Sequence, residues 1–277
     1  MTPNRQYNPK IGRWTQEDPI CAGLNWYTYC ENDPVNRIDP WGLDSYILYD
    51  PNPLEDNNFV TLEKAELMAL ELKDIYGKDH VVHLIAISSG QDLIDRWNGV
   101  DKYGLGFDAK GNVVTIDAVV IYAHGSAGDY GFGGKDGNWT ARSTWFTFSD
   151  IDKLDKKSMD MLISISCNTA GSHVADNFAA AFMRTQPGIK NVIAADGNVC
   201  VGINSTTTKP AWWQFWKKPV TTRTTDIYTV QGKRTDSPAG YMLYSRDSKG
   251  NVVSSPIGSF GDHYSGLNGL IRAAGIK

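Results

Sequence analysis

Two residues in this chain have the types and settings needed for covalent acyl transfer. His124 follows the apolar run 118–123, and Cys167 follows the apolar run 161–165 and Ser166. A thiolate attacks a carbonyl carbon, and an imidazole within reach takes the thiol proton and later returns it to a leaving amine. Gly125, directly after His124, permits close approach of backbone. The amides of Gly125 and Cys167 are then candidates for holding the oxyanion of a tetrahedral intermediate. Taken singly, each signal is weak. A histidine after a strand is usually a loop residue, and a cysteine ending a strand is usually an inert buried thiol. Their order, their strand contexts and their separation of 43 residues make the pair the strongest constellation in the chain.

The elements that must position this pair are readable from periodicity. Residues 61–76 put Leu62, Ala65, Met68, Leu72 and Ile75 on one helical face, with Thr61 as cap and Gly77 as terminator. Residues 174–184 keep Val174, Phe178 and Phe182 in register before Pro187-Gly188, and 91–97 form a short helix. The runs 45–49, 81–87, 118–123, 161–165 and 191–195 read as strands. Residues 107–114 and 241–253 read as hairpins, the second turning at Lys249-Gly250. Unbroken apolar runs alternating with helices indicate strands buried on both faces. The expectation is an α/β fold of three layers with a mostly parallel central sheet. Sites in such sheets form beyond the carboxyl ends of strands, where His124 and Cys167 both fall. From Val199 onward the pattern is less regular, with a Thr-rich stretch and the segment Trp212-Trp213-Gln214-Phe215-Trp216-Lys217-Lys218.

Composition narrows the function classes. The 277 residues carry 27 Lys+Arg against 31 Asp+Glu, a formal charge of −4, which argues against a general nucleic-acid binder. Hydrophobic content of 41% and charged content of 21% are those of an ordinary globular protein. No apolar run approaches the length of a membrane span, and no basic-then-apolar leader opens the chain. Four cysteines do not make a disulfide scaffold, although Cys21 and Cys30 could bridge after export. CxxC, HExxH, Walker, zinc-deaminase and GxSxG patterns are missing, so neither metal nor cofactor is expected.

Lesser candidates remain. Asp196 follows the run 192–195 and could select a basic P1 side chain, though a turn aspartate is the plainer reading. Asp150 and Asp152 read as helix-start or surface carboxylates, His83 as a packed strand residue and His173 as a helix-face residue. His263 with Asp262 is a remote alternative base. The Trp-rich segment fits a substrate lid or a membrane-interface anchor, and packing back on the domain is the favoured reading. Lys209, Lys217, Lys218, Arg223, Lys233 and Arg234 could bind an anion but read more simply as a solvated face.

The first 43 residues differ in composition. They are dense in Pro, Asn, Asp, Trp and Tyr and include Asp18-Pro19, Asp33-Pro34 and Asp39-Pro40. The blocks Tyr7-Asn8-Pro9-Lys10-Ile11-Gly12-Arg13-Trp14, Glu17-Asp18-Pro19-Ile20, Gly23-Leu24-Asn25-Trp26-Tyr27-Thr28-Tyr29 and Asn32 through Leu43 resemble the end of the Rhs/YD-repeat associated core. That resemblance implies a shell enclosing a variable C-terminal toxin. It also implies an aspartyl-protease-like pair, Asp18 and Asp39, cutting between Leu43 and Asp44. Two close carboxylates sharing a proton suit that chemistry. Cys21 stands where glycine is common in the family. The chain then divides into 1–43, an irregular end of the core, and 44–277, the toxin.

The order apolar strand, His-Gly, apolar strand, Cys resembles the caspase-like (clan CD) cysteine peptidases, among them caspases, gingipains, clostripain and self-processing toxin proteases. The resemblance covers roughly 45–200. It implies a three-layer caspase-like sandwich, with His124 as general acid/base and Cys167 as nucleophile. Ser166 stands where Ala or Gly is frequent. Together the two resemblances imply a cysteine endopeptidase toxin acting on a protein substrate. It would be held in the Rhs shell of its parent, delivered by a bacterial secretion system into the target cytoplasm, and opposed by a cognate immunity protein. No nucleic-acid or membrane partner is expected. The alternatives are an inactive caspase-like interaction domain, or a toxin of another class such as a nuclease or ADP-ribosyltransferase.

Overall fold

The computed structural model describes residues 7–8, 13–14, 43–51, 62–132, 145–171, 176–211, 214, 216–230 and 240–276. Asp18, Asp39, Cys21, Cys30, His173, Val174, Trp212, Trp213, Phe215, Lys233 and Arg234 lie outside them, and so do the readings that rest on those residues. Near the N-terminus, β1 (Tyr7–Asn8) and β2 (Arg13–Trp14) form a short antiparallel ladder.

The central sheet is built as the apolar runs require. It begins with β3 (Leu43–Tyr49), α1 (Leu62–Tyr76), β4 (Val82–Ala86), α2 (Gly90–Asn98) and β5 (Thr115–Tyr122). A small antiparallel unit follows, of β6 (His124–Gly125), β7 (Asp129–Gly131) and β8 (Phe146–Thr147). The sheet resumes with β9 (Met159–Ile165), α3 (Phe178–Thr185) and β10 (Ile189–Ala195). β11 (Asn198–Thr208) and β12 (Val220–Val230) form a long hairpin, followed by β13 (Tyr241–Arg246), β14 (Val252–Ile257), β15 (His263–Ser265) and α4 (Gly266–Ala273). The seven-stranded sheet has the order β14-β13-β10-β9-β5-β3-β4. Its five strands from β10 to β4 are parallel, and β13 and β14 add on antiparallel.

Both faces of this sheet are buried, which explains the unbroken apolar runs. Val119 and Ile121 of β5 join one core with Trp97, Phe146, Phe178 and Phe182. Ala118, Val120 and Tyr122 join the other with Met68, Leu72, Leu267 and Leu270. The second layer thus holds α2 and α3, and the third holds α1 and α4 beside the sheet β11-β12-β15. Helix starts and stops follow local chemistry. Ser89 caps α2 by accepting from the Asp92 N–H, and Gly99 ends it in the left-handed region at φ 68°. The buried Glu71 carboxylate accepts from the N–H groups of Thr225 and Leu267, tying α1 to β12 and to the start of α4.

Three elements differ from the sequence reading. The first strand starts at Leu43, not Ser45, and pairs Leu43 with Thr115 and Asp44 with Ile116. The Leu43–Asp44 bond expected to be cut therefore lies inside a paired strand. Helix α3 starts at Phe178, because the Asn177 side chain accepts from the Ala180 N–H and fixes the boundary there. The stretch after Val199, expected to be irregular, holds a hairpin of two eleven-residue strands paired from Asn198↔Val230 to Thr208↔Val220.

Candidate active site

His124 and Cys167 leave the sheet on neighbouring parallel strands at the same edge. Tyr122 of β5 is level with Ile165 of β9, so the two chains turn out of the sheet side by side. They stay in contact beyond it. A Cβ at Gly125 would lie 2.8 Å from the Ser166 Cβ, 2.9 Å from the Cys167 carbonyl oxygen and 3.0 Å from the Thr169 Cγ2. Only glycine fits there, so the His-Gly dipeptide is seated directly on the Ser166-Cys167 segment.

Helix α3 holds both segments with its first amides. The Phe178 N–H donates to the Ala127 carbonyl at 3.0 Å, and the Ala179 N–H donates to the Thr169 carbonyl at 3.0 Å. These are groups a helix start leaves unpaired, and each is satisfied by one of the two loops. A buried hydroxyl chain adds a second tie. The Tyr130 hydroxyl donates to Ser164 Oγ at 2.9 Å, Ser164 Oγ is 2.9 Å from Thr169 Oγ1, and Thr169 Oγ1 donates to the Ser166 carbonyl at 3.3 Å.

The turn after Cys167 is shaped by Asn168, whose φ of 56° lies in the left-handed region. Asparagine tolerates that region better than most residues. The Asn168 N–H donates to the Gly197 carbonyl at 2.9 Å, and its side-chain amide donates to Asn198 Oδ1 at 2.9 Å. The Val199 N–H donates to the Cys167 Sγ at 3.3 Å. Sequence reasoning missed Tyr130, Thr169, Asn168 and Val199. Only Asn168, an asparagine in a strand-ending turn, carried a local signal.

Burial sets the protonation states of the pair. It holds the His124 imidazole below its ordinary range, so the ring is neutral at neutral pH. Burial also pushes the Cys167 thiol above its ordinary range, outweighing the Val199 N–H, which favours thiolate. Cys200, on β11, is the other free thiol among the described residues, and its charge would raise Cys167 further. Burial thus disfavours the charged form of each group, lowering the imidazole and raising the thiol.

The ladder geometry bears on Gly125. The Ser126 N–H donates to the Asp129 carbonyl at 2.9 Å, which makes Ser126 and Asp129 a hydrogen-bonded pair. Alternation along an antiparallel ladder then makes Gly125 and Tyr130 a non-hydrogen-bonded pair. By that alternation the Gly125 N–H is directed away from β7.

The remaining candidates are placed elsewhere. Asp196 directly follows β10, one strand beyond Cys167, with its N–H donating to the Gly240 carbonyl at 3.1 Å. It is 1% exposed, so its carboxylate is covered. Asp150 completes a capping box with Thr147, as a helix-start carboxylate should, and Asp152 is exposed. His83 is packed, stacked on Tyr46 and 2.7 Å from the Asp44 carboxylate. His263 stacks on Tyr228 and pairs with Asp226 at 2.9 Å, whereas Asp262 accepts from the Ser259 N–H. Asp262 is therefore not the partner of His263.

No family model matches the chain, and no curated protein matches it. Among solved structures it is similar to the complex of Porphyromonas gingivalis RgpB pro- and mature domains, at 15% identity and a TM-score of 0.36. The likeness covers 56% of this chain and 33% of that one, so the chain spans about a third of that neighbour's length. The layers and the mostly parallel sheet described above agree with the caspase-like sandwich expected from the sequence.

Proposed function

We propose that the chain is a cysteine endopeptidase working through His124 and Cys167. The observation that carries this reading is the seating of Gly125 against Ser166 and the Cys167 carbonyl, which brings two strand-end loops of complementary chemistry into one site. His124, neutral in its buried setting, takes the Cys167 proton as the sulfur attacks the scissile carbonyl carbon. The C–S bond forms, and the oxyanion is held by the amides of Gly125 and Cys167. The imidazolium then protonates the leaving amine as the C–N bond breaks. Water, activated by the regenerated imidazole, hydrolyses the thioester and restores the thiol.

The Rhs-like blocks before Asp44 support a toxin carried as cargo, released into a target cytoplasm and held in check by an immunity protein. The test is growth of a bacterial host expressing residues 44–277 beside Cys167→Ala and His124→Ala at matched protein level. Arrest by the unsubstituted chain alone, with new N-termini in host proteins, is the expected result. Equal arrest by all three refutes the peptidase reading. One observation favours a second reading, an interaction domain of the same fold: burial raises the Cys167 thiol, as in inert structural cysteines. A Cys167 that resists alkylation even in alkali would select that reading.

A further inference from the structure

The β11–β12 hairpin ends in a surface that neither His124 nor Cys167 uses. Its inner half is packed: Val199, Val201 and Ile227 belong to the second core. Its outer half is not. Residues 204–208 and 220–223 are exposed on both faces of the ribbon. Five strand residues reach roughly 17 Å, so the strand ends Thr208 and Val220 are carried well away from the packed half.

The connection 209–219 is chemically segregated from the rest of the chain. The whole protein is net acidic, yet residues 198–225 contain no Asp or Glu and include Lys209, Lys217, Lys218 and Arg223. Arg223, at the base of the exposed half, is bonded to Glu63 at 2.7 Å. The three lysines beyond it are exposed. Between them Trp216 is 67% exposed, and Val220 is 64% exposed beside them. The same connection contributes Trp212, Trp213 and Phe215 by sequence. Indole rings settle at the headgroup level of a bilayer, and neighbouring lysines gain from anionic phosphates there.

We propose that the β11–β12 arm docks on an anionic lipid surface through Trp216, Lys217, Lys218 and Lys209. This departs from the sequence-level expectation of no membrane partner. It requires no spanning segment, and among the described residues no helix is long and apolar enough to cross a membrane. The arm would lie in the interface and bind reversibly. It is independent of the peptidase reading, since no step of that chemistry involves the outer half of the hairpin.

The test is co-sedimentation of the full chain with vesicles of phosphatidylcholine alone and of a two-to-one mixture with phosphatidylglycerol. Binding to the mixed vesicles is expected, with little to phosphatidylcholine and most of it lost in 1 M salt, where the Debye length is about 3 Å. Lys217→Ser with Lys218→Ser should lower the partition coefficient roughly thirtyfold, and Trp216→Ala about tenfold. All three positions are exposed, so thermal unfolding should be unchanged in these variants. Lys249→Ser, at an exposed turn of the β13–β14 hairpin, removes a charge away from the arm and should leave binding intact. The proposal is overturned by absence of binding to the mixed vesicles, which is the outcome if the arm serves a protein partner instead. It is also overturned by equal binding to both compositions, by full binding of a variant combining Trp216→Ala, Lys217→Ser and Lys218→Ser, or by an equal loss in Lys249→Ser.

Discussion

Gly125→Ala tests the geometry on which the site depends. The added methyl would lie 2.8 Å from the Ser166 Cβ, 2.9 Å from the Cys167 carbonyl oxygen and 3.0 Å from the Thr169 Cγ2. Optimal carbon–carbon separation is about 3.5–4.0 Å, so the overlap approaches 1 Å on three sides. None of the three obstacles is the far end of a flexible side chain, and Ser166 and Thr169 are buried. Relief must come from parting the two strand ends. Overpacking of this kind costs about 1–3 kcal/mol. Gly125 is not among the glycines of positive φ, so alanine also recovers about 0.4–1 kcal/mol through the unfolded chain. The net expectation is a loss of about 0.5–2 kcal/mol, read as a lower urea midpoint at unchanged slope. Gly128→Ala is the control in the same hairpin: its methyl meets only the Phe148 ring, at 3.3 Å and beyond. Parting the loops also displaces the Gly125 amide and His124 from Cys167, and misplacement of about 1 Å costs on the order of a hundredfold in turnover. Should Gly125→Ala match Gly128→Ala in stability and in peptidase rate, the two loops do not pack as described and the site reasoning fails with them.

The other consequences are independent of one another. Asn168→Ala should cost about 1–2 kcal/mol from the left-handed backbone alone, while Asn168→Gly should recover most of it; equal melting temperatures for the two would contradict the φ of 56°. Tyr130→Phe removes the donor to Ser164 inside the core and should lower stability by about 1–3 kcal/mol, measured by urea unfolding; no loss would mean the hydroxyl chain does not hold the Cys167 turn. Alkylation of Cys167 by iodoacetamide should rise with pH through a midpoint above the ordinary thiol value, since burial disfavours the thiolate; a midpoint near neutrality would show a preformed ion pair instead. His80, buried against Tyr76 and Ser45, is held down to about 4. A folded value below the unfolded one contributes stability that is present above about pH 6.5 and lost as pH falls toward 4, on the order of 3 kcal/mol in all. His80→Gln should flatten that part of the stability profile, and an unchanged slope would refute the assignment.

What the sequence made legible follows from which faces are buried. The run 118–123 is apolar at every position because Val119 and Ile121 fill one core and Ala118, Val120 and Tyr122 the other. That pattern is enough to place His124 and Cys167 at one edge of a parallel sheet. The β11–β12 hairpin was not legible, because its outer half is buried on neither face and shows no hydrophobic period. Its only signal was the β propensity of its threonines. The start of β3 was hidden for another reason. Leu43 and Asp44 enter the sheet through backbone pairing to Thr115 and Ile116, which leaves no trace in side-chain pattern. Asn168 could be suspected from residue type, but the Val199 N–H on Cys167 and the α3 amides on both loops exist only once distant elements meet.

Burial ties the fold of this site to its chemistry. Packing the His-Gly dipeptide onto the Cys167 segment desolvates both groups, and desolvation moves their proton affinities in opposite directions. The imidazole is held below its ordinary range and the thiol above it. Both directions disfavour a resting thiolate–imidazolium pair. On the proposed mechanism the thiol proton moves during attack, with His124 as base, and the resulting charge pair is held in place by the amides of Gly125 and Cys167. Loss of His124 should then abolish acylation by substrate, whereas in a preformed ion pair it would mainly lower the thiolate fraction. Raising the pH distinguishes the two. Alkali would restore activity to a His124→Ala enzyme that lacked only thiolate, but not to one that also lacks the acid for the leaving amine. Failure of alkali to rescue His124→Ala, with Cys167 still alkylated at high pH, is the result expected here; full rescue would remove His124 from the general acid step.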